Sequence, residues 1–132
     1  MKDQKKYIAL VVEDEPPLAY AIKTKLEKMG FDAVTTRTVE QASAYMEDIG
    51  GFDFVWLDHY LIGQQTGLDF VEKLKASGKW KDIPIFVVSN TASSQRVQSY
   101  LDLGVTKYYT KSNFRLDAII DDIRKYLEDH EK

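Results

Sequence analysis

The sequence predicts an α/β fold in which a parallel five-stranded sheet is wound on both faces by helices. Three observations predict it. Five short apolar runs recur along the chain, amphipathic stretches of helical length separate them, and glycines stand where several of those stretches stop. Strands that alternate with helices at this spacing pair in parallel, because each crossover packs back on the sheet.

The first run is Tyr7 to Val12. It ends at Glu13-Asp14-Glu15 and is followed by Pro16-Pro17, residues suited to the first turn of a helix. That helix is expected to reach Met29 and stop at Gly30, with Leu18, Ile22, Leu26 and Met29 on its apolar face. A weak strand follows at 31–35. The second helix spans Val39 to Ile49, capped by Thr38, with Val39, Ala42, Tyr45, Met46 and Ile49 as its apolar residues. Gly50-Gly51 ends it. The third run, Phe52 to Leu57, stops at Asp58, and a loop with Gly63 and Gly67 leads to a helix over Leu68 to Ala76. The fourth run, Ile83 to Val88, stops at Ser89, and a polar helix runs from Ala92 to Leu103, closed by Gly104. The fifth, Val105 to Thr110, stops at Lys111. The last helix spans Phe114 to Leu127, with Leu116, Ile119, Ile120, Ile123 and Leu127 on one face. The polar ends, Met1 to Lys6 and Glu128 to Lys132, are expected to fray.

Five β-α units in 132 residues fit one domain, with an ordered core at about 6–128. Right-handed crossovers then favour the flavodoxin-like strand order 2-1-3-4-5. Composition narrows the function. Net charge is −3 and no basic patch is visible, which argues against direct nucleic-acid binding. With no cysteine, zinc-thiolate sites and thiol nucleophiles are excluded. The run at 8–12 is too short for a signal peptide or a membrane span, so a cytoplasmic location is expected.

Ligands of open α/β sheets bind beyond the carboxyl ends of the strands. Four of the five predicted ends carry a charged or hydroxyl side chain: Glu13 and Asp14, Asp58, Ser89 and Lys111. In the expected order these strands are consecutive neighbours about 4.8 Å apart, so the side chains can converge. Three convergent carboxylates are tolerable around a cation, and an all-oxygen donor set favours Mg²⁺ or Mn²⁺ over zinc. A serine hydroxyl and a lysine ammonium beside the metal can hold phosphate oxygens, and an aspartate can accept a phosphoryl group.

Over nearly its whole length the chain resembles a response-regulator receiver domain, of the stand-alone kind. The matching stretches are Leu10-Val-Val-Glu-Asp-Glu-Pro16, Phe54-Val-Trp-Leu-Asp58, Val87-Val-Ser89 and Tyr108-Tyr-Thr-Lys111. The resemblance implies Glu13 and Asp14 as the acidic metal pair, Asp58 as phosphoacceptor and metal ligand, Ser89 as switch hydroxyl and Lys111 as phosphate-binding lysine. It implies Tyr108 as switch aromatic and the Tyr60 backbone carbonyl as a further metal ligand. It implies a phosphohistidine donor on a sensor histidine kinase or a histidine phosphotransfer protein. A protein target would dock on the surface of the fourth helix, fifth strand and fifth helix, and the chain would be a monomer or weak dimer. Such a protein is a regulator that assists its own phosphorylation and dephosphorylation rather than an enzyme.

The chain departs from the family pattern in several places. The first acid is Glu13 rather than Asp. The loop after Asp58 is one residue longer, Asn90 replaces a small residue, and Ser112 follows Lys111 where Pro is usual. A cis bond before a non-proline residue costs roughly 2.5–4 kcal/mol, so a trans Lys111–Ser112 bond is expected. Tyr60 and Thr91 hold the two positions that tune phosphoaspartate hydrolysis in the family.

Blander roles exist for each residue. Glu13 and Asp14 can cap the first helix, Asp58 can form a turn, Ser89 can cap the fourth helix, and Lys111 can be a solvated charge. His59, on the opposite face from Asp58, reads as a surface or packing residue rather than a base. Two other functions compete. A pseudo-receiver would use the fold only as an interaction module. A haloacid-dehalogenase-like phosphatase needs a second Asp where this chain has Tyr60, and its metal acids follow the lysine rather than precede the nucleophile.

Overall fold

The computed structural model describes residues 6–90 and 93–131. Among them, five strands and five α-helices alternate: β1 (Ile8–Val12), α1 (Pro16–Lys28), β2 (Asp32–Thr36), α2 (Val39–Asp48), β3 (Phe54–Leu57), α3 (Gly67–Lys75), β4 (Ile85–Ser89), α4 (Ser94–Leu103), β5 (Lys107–Thr110) and α5 (Leu116–Asp129). The sheet is parallel in the order β2-β1-β3-β4-β5, as the sequence predicts.

Residues of the inner strands alternate between two cores. Val11, Phe54, Trp56, Phe86 and Val88 pack with Ile22, Ile119 and Ile123 of α1 and α5. Leu10, Val55, Leu57 and Val87 pack with Met46, Phe70 and Tyr100 of α2, α3 and α4. β3 and β4 are buried on both faces, which is why their sequences read as unbroken apolar runs. On the α1/α5 side, Phe31, Phe54, Phe86 and Tyr126 form an edge-to-face series with centroids 5.6–5.8 Å apart. Each such pair contributes about 0.5–1.5 kcal/mol beyond area burial.

Most local signals act as expected. Pro16 and Pro17 open α1, and Gly30 beyond it has φ +93°. Thr38 Oγ1 accepts from Gln41 N–H at the start of α2. Four expectations change. Ile49 lies beyond α2 and is 60% exposed, off the apolar face assigned to it. Ser89 ends β4 and does not cap α4; that role falls to Ser93, whose Oγ accepts from Arg96 N–H. A 3-10 turn, Lys111–Asn113, precedes α5, which starts at Leu116 rather than Phe114. The last helix does not stop at Leu127: α5 continues to Asp129, the His130 ring stacks on Tyr126, and Glu131 accepts from the Tyr7 hydroxyl. The expected start of the fourth helix at Ala92, and Thr91, lie outside the described residues.

Candidate functional site

Strand register sets the site. Val12 pairs with Leu57, Leu57 with Val87, and Ser89 with Thr110. Glu13 and Asp58 therefore leave the sheet side by side, with Ser89 and Lys111 on the next two strands. Backbone bonds fix both acids: Glu13 N–H donates to Thr36 O at 2.9 Å, and Asp58 N–H to Val12 O at 3.0 Å.

Glu13, Asp14 and Asp58 bring one carboxylate oxygen each to within 4.8 Å of one another. Lys111 Nζ lies 3.0 Å from Glu13 Oε1 and 3.7 Å from Asp58 Oδ2. Its side chain is only 16% exposed, so it is not a solvated surface charge. One ammonium thus faces three carboxylates, two of them buried. The electrostatic result is visible in both buried acids. Burial, and then the charge of Asp58, push the Glu13 carboxyl up to about 7, with Lys111 pulling it back. Burial also raises Asp58, while Lys111 and the hydrogen bonds it accepts oppose the shift. A hard divalent cation would relieve this repulsion, and an all-carboxylate donor set suits Mg²⁺.

Ser89 Oγ is fully buried and makes no hydrogen bond of good geometry among the described residues. It is nonetheless near enough to Asp58 and Tyr108 to favour the ionised form of each. An under-used hydroxyl beside a strand-end aspartate is placed to meet an incoming oxyanion. The helix-cap alternative for the first acids is met only in part. Glu13 Oε2 accepts from Glu15 N–H at 3.3 Å, but Glu15, not either acid, holds the cap position and makes no side-chain cap bond. The Lys111–Ser112 bond is trans.

Tyr60 is 55% exposed and turned to α4, where Arg96 Nη1 donates to its hydroxyl at 3.3 Å. His59 is buried, as a packing residue should be, but it is not merely packed. Its Nδ1 shares a 2.7 Å hydrogen bond with the hydroxyl of Tyr100, and Tyr100 stacks obliquely on Tyr108 with centroids 5.6 Å apart. Burial, and then the Arg96 charge, hold the His59 pKa below its usual value, which favours the neutral ring. Tyr100 and Arg96 are neighbours of the site that the sequence alone does not single out. Their four-residue spacing on a predicted helix was the available signal.

Known proteins resemble this chain in sequence and fold. The family model of the response regulator receiver domain matches residues 9–124. The chemotaxis protein CheY of Pseudomonas aeruginosa is 26% identical over 119 residues, covering 90% of this chain and 94% of that protein. The phosphate regulon transcriptional regulatory protein PhoB of the same organism is 29% identical over 102 residues, but the chain spans only 44% of its length. Among solved structures, a response regulator receiver protein from Pseudomonas putida superposes with a TM-score of 0.84 at 24% identity, covering 93% of this chain and 99% of that one. Chemotaxis protein CheY4 of Vibrio cholerae gives 0.82 at 20% identity, covering 92% and 98%. At such identities the superpositions speak for the fold, and the family model carries the assignment. With five parallel strands in the order 2-1-3-4-5 and an acidic cluster at their carboxyl ends, the chain belongs to the response regulator receiver domain family of two-component signalling.

Proposed function

We propose that this chain is a phosphorylation switch or relay that accepts a phosphoryl group on Asp58. The observation that carries the reading is the cluster itself: three carboxylates within 4.8 Å, with one lysine bridging the two buried acids. Glu13, Asp14, Asp58 and the Tyr60 carbonyl would hold Mg²⁺ or Mn²⁺. The bound ion supplies charge neutralisation for the transferring phosphoryl oxygens. Everything else falls to the chain's own residues.

Asp58 Oδ attacks phosphorus as the P–N bond of a phosphohistidine breaks, and the leaving imidazole takes a proton from solvent. Lys111 holds a phosphoryl oxygen with its ammonium, which requires it to leave Glu13 in part. Ser89 donates its hydroxyl to another oxygen, a bond that gives this buried group a partner. Tyr108 then repacks around the displaced Ser89, altering the surface of α4, β5 and α5, where a protein target docks. The change is a population shift between two arrangements. The phosphoryl donor is a sensor histidine kinase or a histidine phosphotransfer protein. One receiver unit at 6–128 suffices for this chemistry, the chain working as a monomer or weak dimer in the cytoplasm.

Intact mass after incubation with Mg²⁺ and phosphoramidate tests the proposal. The expected result is one phosphate adduct that needs Mg²⁺ and is absent in Asp58→Asn. An adduct that persists in Asp58→Asn would move the site elsewhere. No adduct together with no Mg²⁺ binding would leave the fold as an interaction module.

A further inference from the structure

Residues 59 and 60 face two ways. Their backbone serves the acidic site: His59 N–H donates to Asp58 Oδ1 at 2.8 Å, and the Tyr60 carbonyl is the proposed metal ligand. Their side chains serve α4. His59 bonds Tyr100, and Tyr60 accepts from Arg96, whose guanidinium also lies 5.5 Å from the Tyr60 ring centre. Arg96 and Tyr100 are four residues apart on a helix and therefore share one face. Two consecutive loop residues thus grip two stacked positions of α4.

The inner grip is tight. His59 is 5% exposed and Tyr100 is fully buried. Gly67 closes the contact from α3: its N–H donates to His59 O at 3.0 Å, and a Cβ there would lie 2.5 Å from the Tyr100 hydroxyl and 2.8 Å from Asp58 O. Tyr100 is also the one buried residue of α4. The helix is therefore anchored in the core chiefly through the side chain that His59 holds.

We propose that the His59–Tyr100 and Tyr60–Arg96 contacts form a strap that positions α4 directly from the loop after Asp58. It is a second route to the target surface, parallel to Ser89–Tyr108, and it rests on the reading of Asp58 as phosphoacceptor. Metal and phosphoryl act on the backbone of residues 58–60. A short bond between two buried groups has little slack, because packed interiors move between discrete arrangements rather than stretch. When the loop shifts, α4 follows.

Hydrogen exchange of α4 amides in the full chain tests this, with and without Mg²⁺ and phosphoramidate, the phosphorylated fraction being read by intact mass. Tyr100→Phe keeps the ring and the core volume, and Arg96→Gln keeps the stem. Without phosphate, the double variant should exchange α4 amides roughly thirtyfold faster, the effect of two lost hydrogen bonds on local opening, with α1 unchanged. Arg96→Lys, which keeps the cation by Tyr60, should stay near wild type. With phosphate, Tyr108→Leu should still show a phosphorylation-dependent change in α4, and adding Tyr100→Phe and Arg96→Gln should remove it. Wild-type exchange in the double variant, or loss of the α4 response in Tyr108→Leu alone, overturns the strap while the adduct still forms. Absence of any adduct in wild type is a separate outcome, seen by mass, and removes the reading of Asp58 as phosphoacceptor and the strap with it.

Discussion

Replacing Glu13 by glutamine should make the metal-free protein more stable above pH 7. The Glu13 side chain is fully buried, and its pKa is raised from 4.5 to about 7, chiefly by burial and then by the Asp58 charge. In the unfolded chain the group titrates near its ordinary value. Between these two pH values the folded state binds more protons than the unfolded state, so stability falls as pH rises through the window. The contribution is fully present below pH 4.5 and lost above about 7. At 1.36 kcal/mol per pKa unit, the buried charge costs on the order of 3 kcal/mol. Glutamine is neutral and nearly the same shape, and its carbonyl still accepts from Lys111. The Lys111 attraction is already contained in the raised pKa, but the glutamine NH₂ adds a buried donor that the carboxyl lacks, which takes back about 1 kcal/mol. The net gain is about 1–2 kcal/mol, or a rise in Tm of roughly 3–8 °C for a domain of this size.

Thermal unfolding followed by far-ultraviolet circular dichroism, in EDTA at pH 5 and pH 8, measures this. The variant should lead wild type at pH 8 and match it more closely at pH 5, where wild-type Glu13 already carries its proton. Saturating Mg²⁺ at pH 8 should reverse the order, because only wild type gains a full ligand set. A Tm for Glu13→Gln at or below wild type at pH 8 in EDTA would refute the reasoning. Lys111 would then compensate the cluster fully, and no repulsion would be left for a metal to relieve.

Lys111→Met should act in the opposite direction, removing the one ammonium between Glu13 and Asp58; a loss of roughly 2–3 kcal/mol in EDTA at pH 8 is expected, and an unchanged Tm would count against the ion pairs. Mg²⁺ affinity, titrated calorimetrically, should strengthen by about tenfold per pH unit below pH 7 and level off above it, since the metal displaces the Glu13 proton; a flat profile from pH 6 to 8 would contradict the raised pKa. Gly67→Ala should cost about 1–3 kcal/mol in denaturant unfolding, because the new methyl meets Asp58 backbone and the Tyr100 hydroxyl together; a neutral result would show the α3–α4 junction to be loose.

The fold and the acidic cluster were legible because each rests on a short-range rule. Apolar runs of strand length, Pro16-Pro17 at a helix start and Gly30 and Gly104 beyond helix ends fixed the alternation of elements. Parallel crossovers then brought Glu13, Asp58, Ser89 and Lys111 to one edge. β4 and β5 begin two residues later than their apolar runs, since Ile83 and Val105 are apolar for packing rather than for pairing. The role of Ser89 as a possible helix cap could not be decided without knowing the length of the loop before α4. His59 was the harder case. Alternation correctly turned it away from Asp58, alongside Val55 and Leu57, but nothing local says what covers that face of the sheet. Tyr100 lies 41 residues away and meets it only after β4 and α4 are in place.

The magnitudes explain why such a coupling can transmit. The buried charge at Glu13 represents on the order of 3 kcal/mol in the metal-free protein. A single hydrogen bond such as His59–Tyr100 or Arg96–Tyr60 contributes about 1 kcal/mol net. α4 has one buried side chain to hold it, whereas α5 has four. A change of charge at the strand ends therefore exceeds what either strap contact alone can resist, and it is comparable with the helix's own anchorage through the single buried Tyr100. Moving α5 would uncover Ile119, Ile120, Ile123 and Leu127, at roughly 1.5–3 kcal/mol each. Of the helices around the sheet, α4 is the one held by the fewest buried side chains, so its displacement costs least, and it is the one to which the loop after Asp58 is tied.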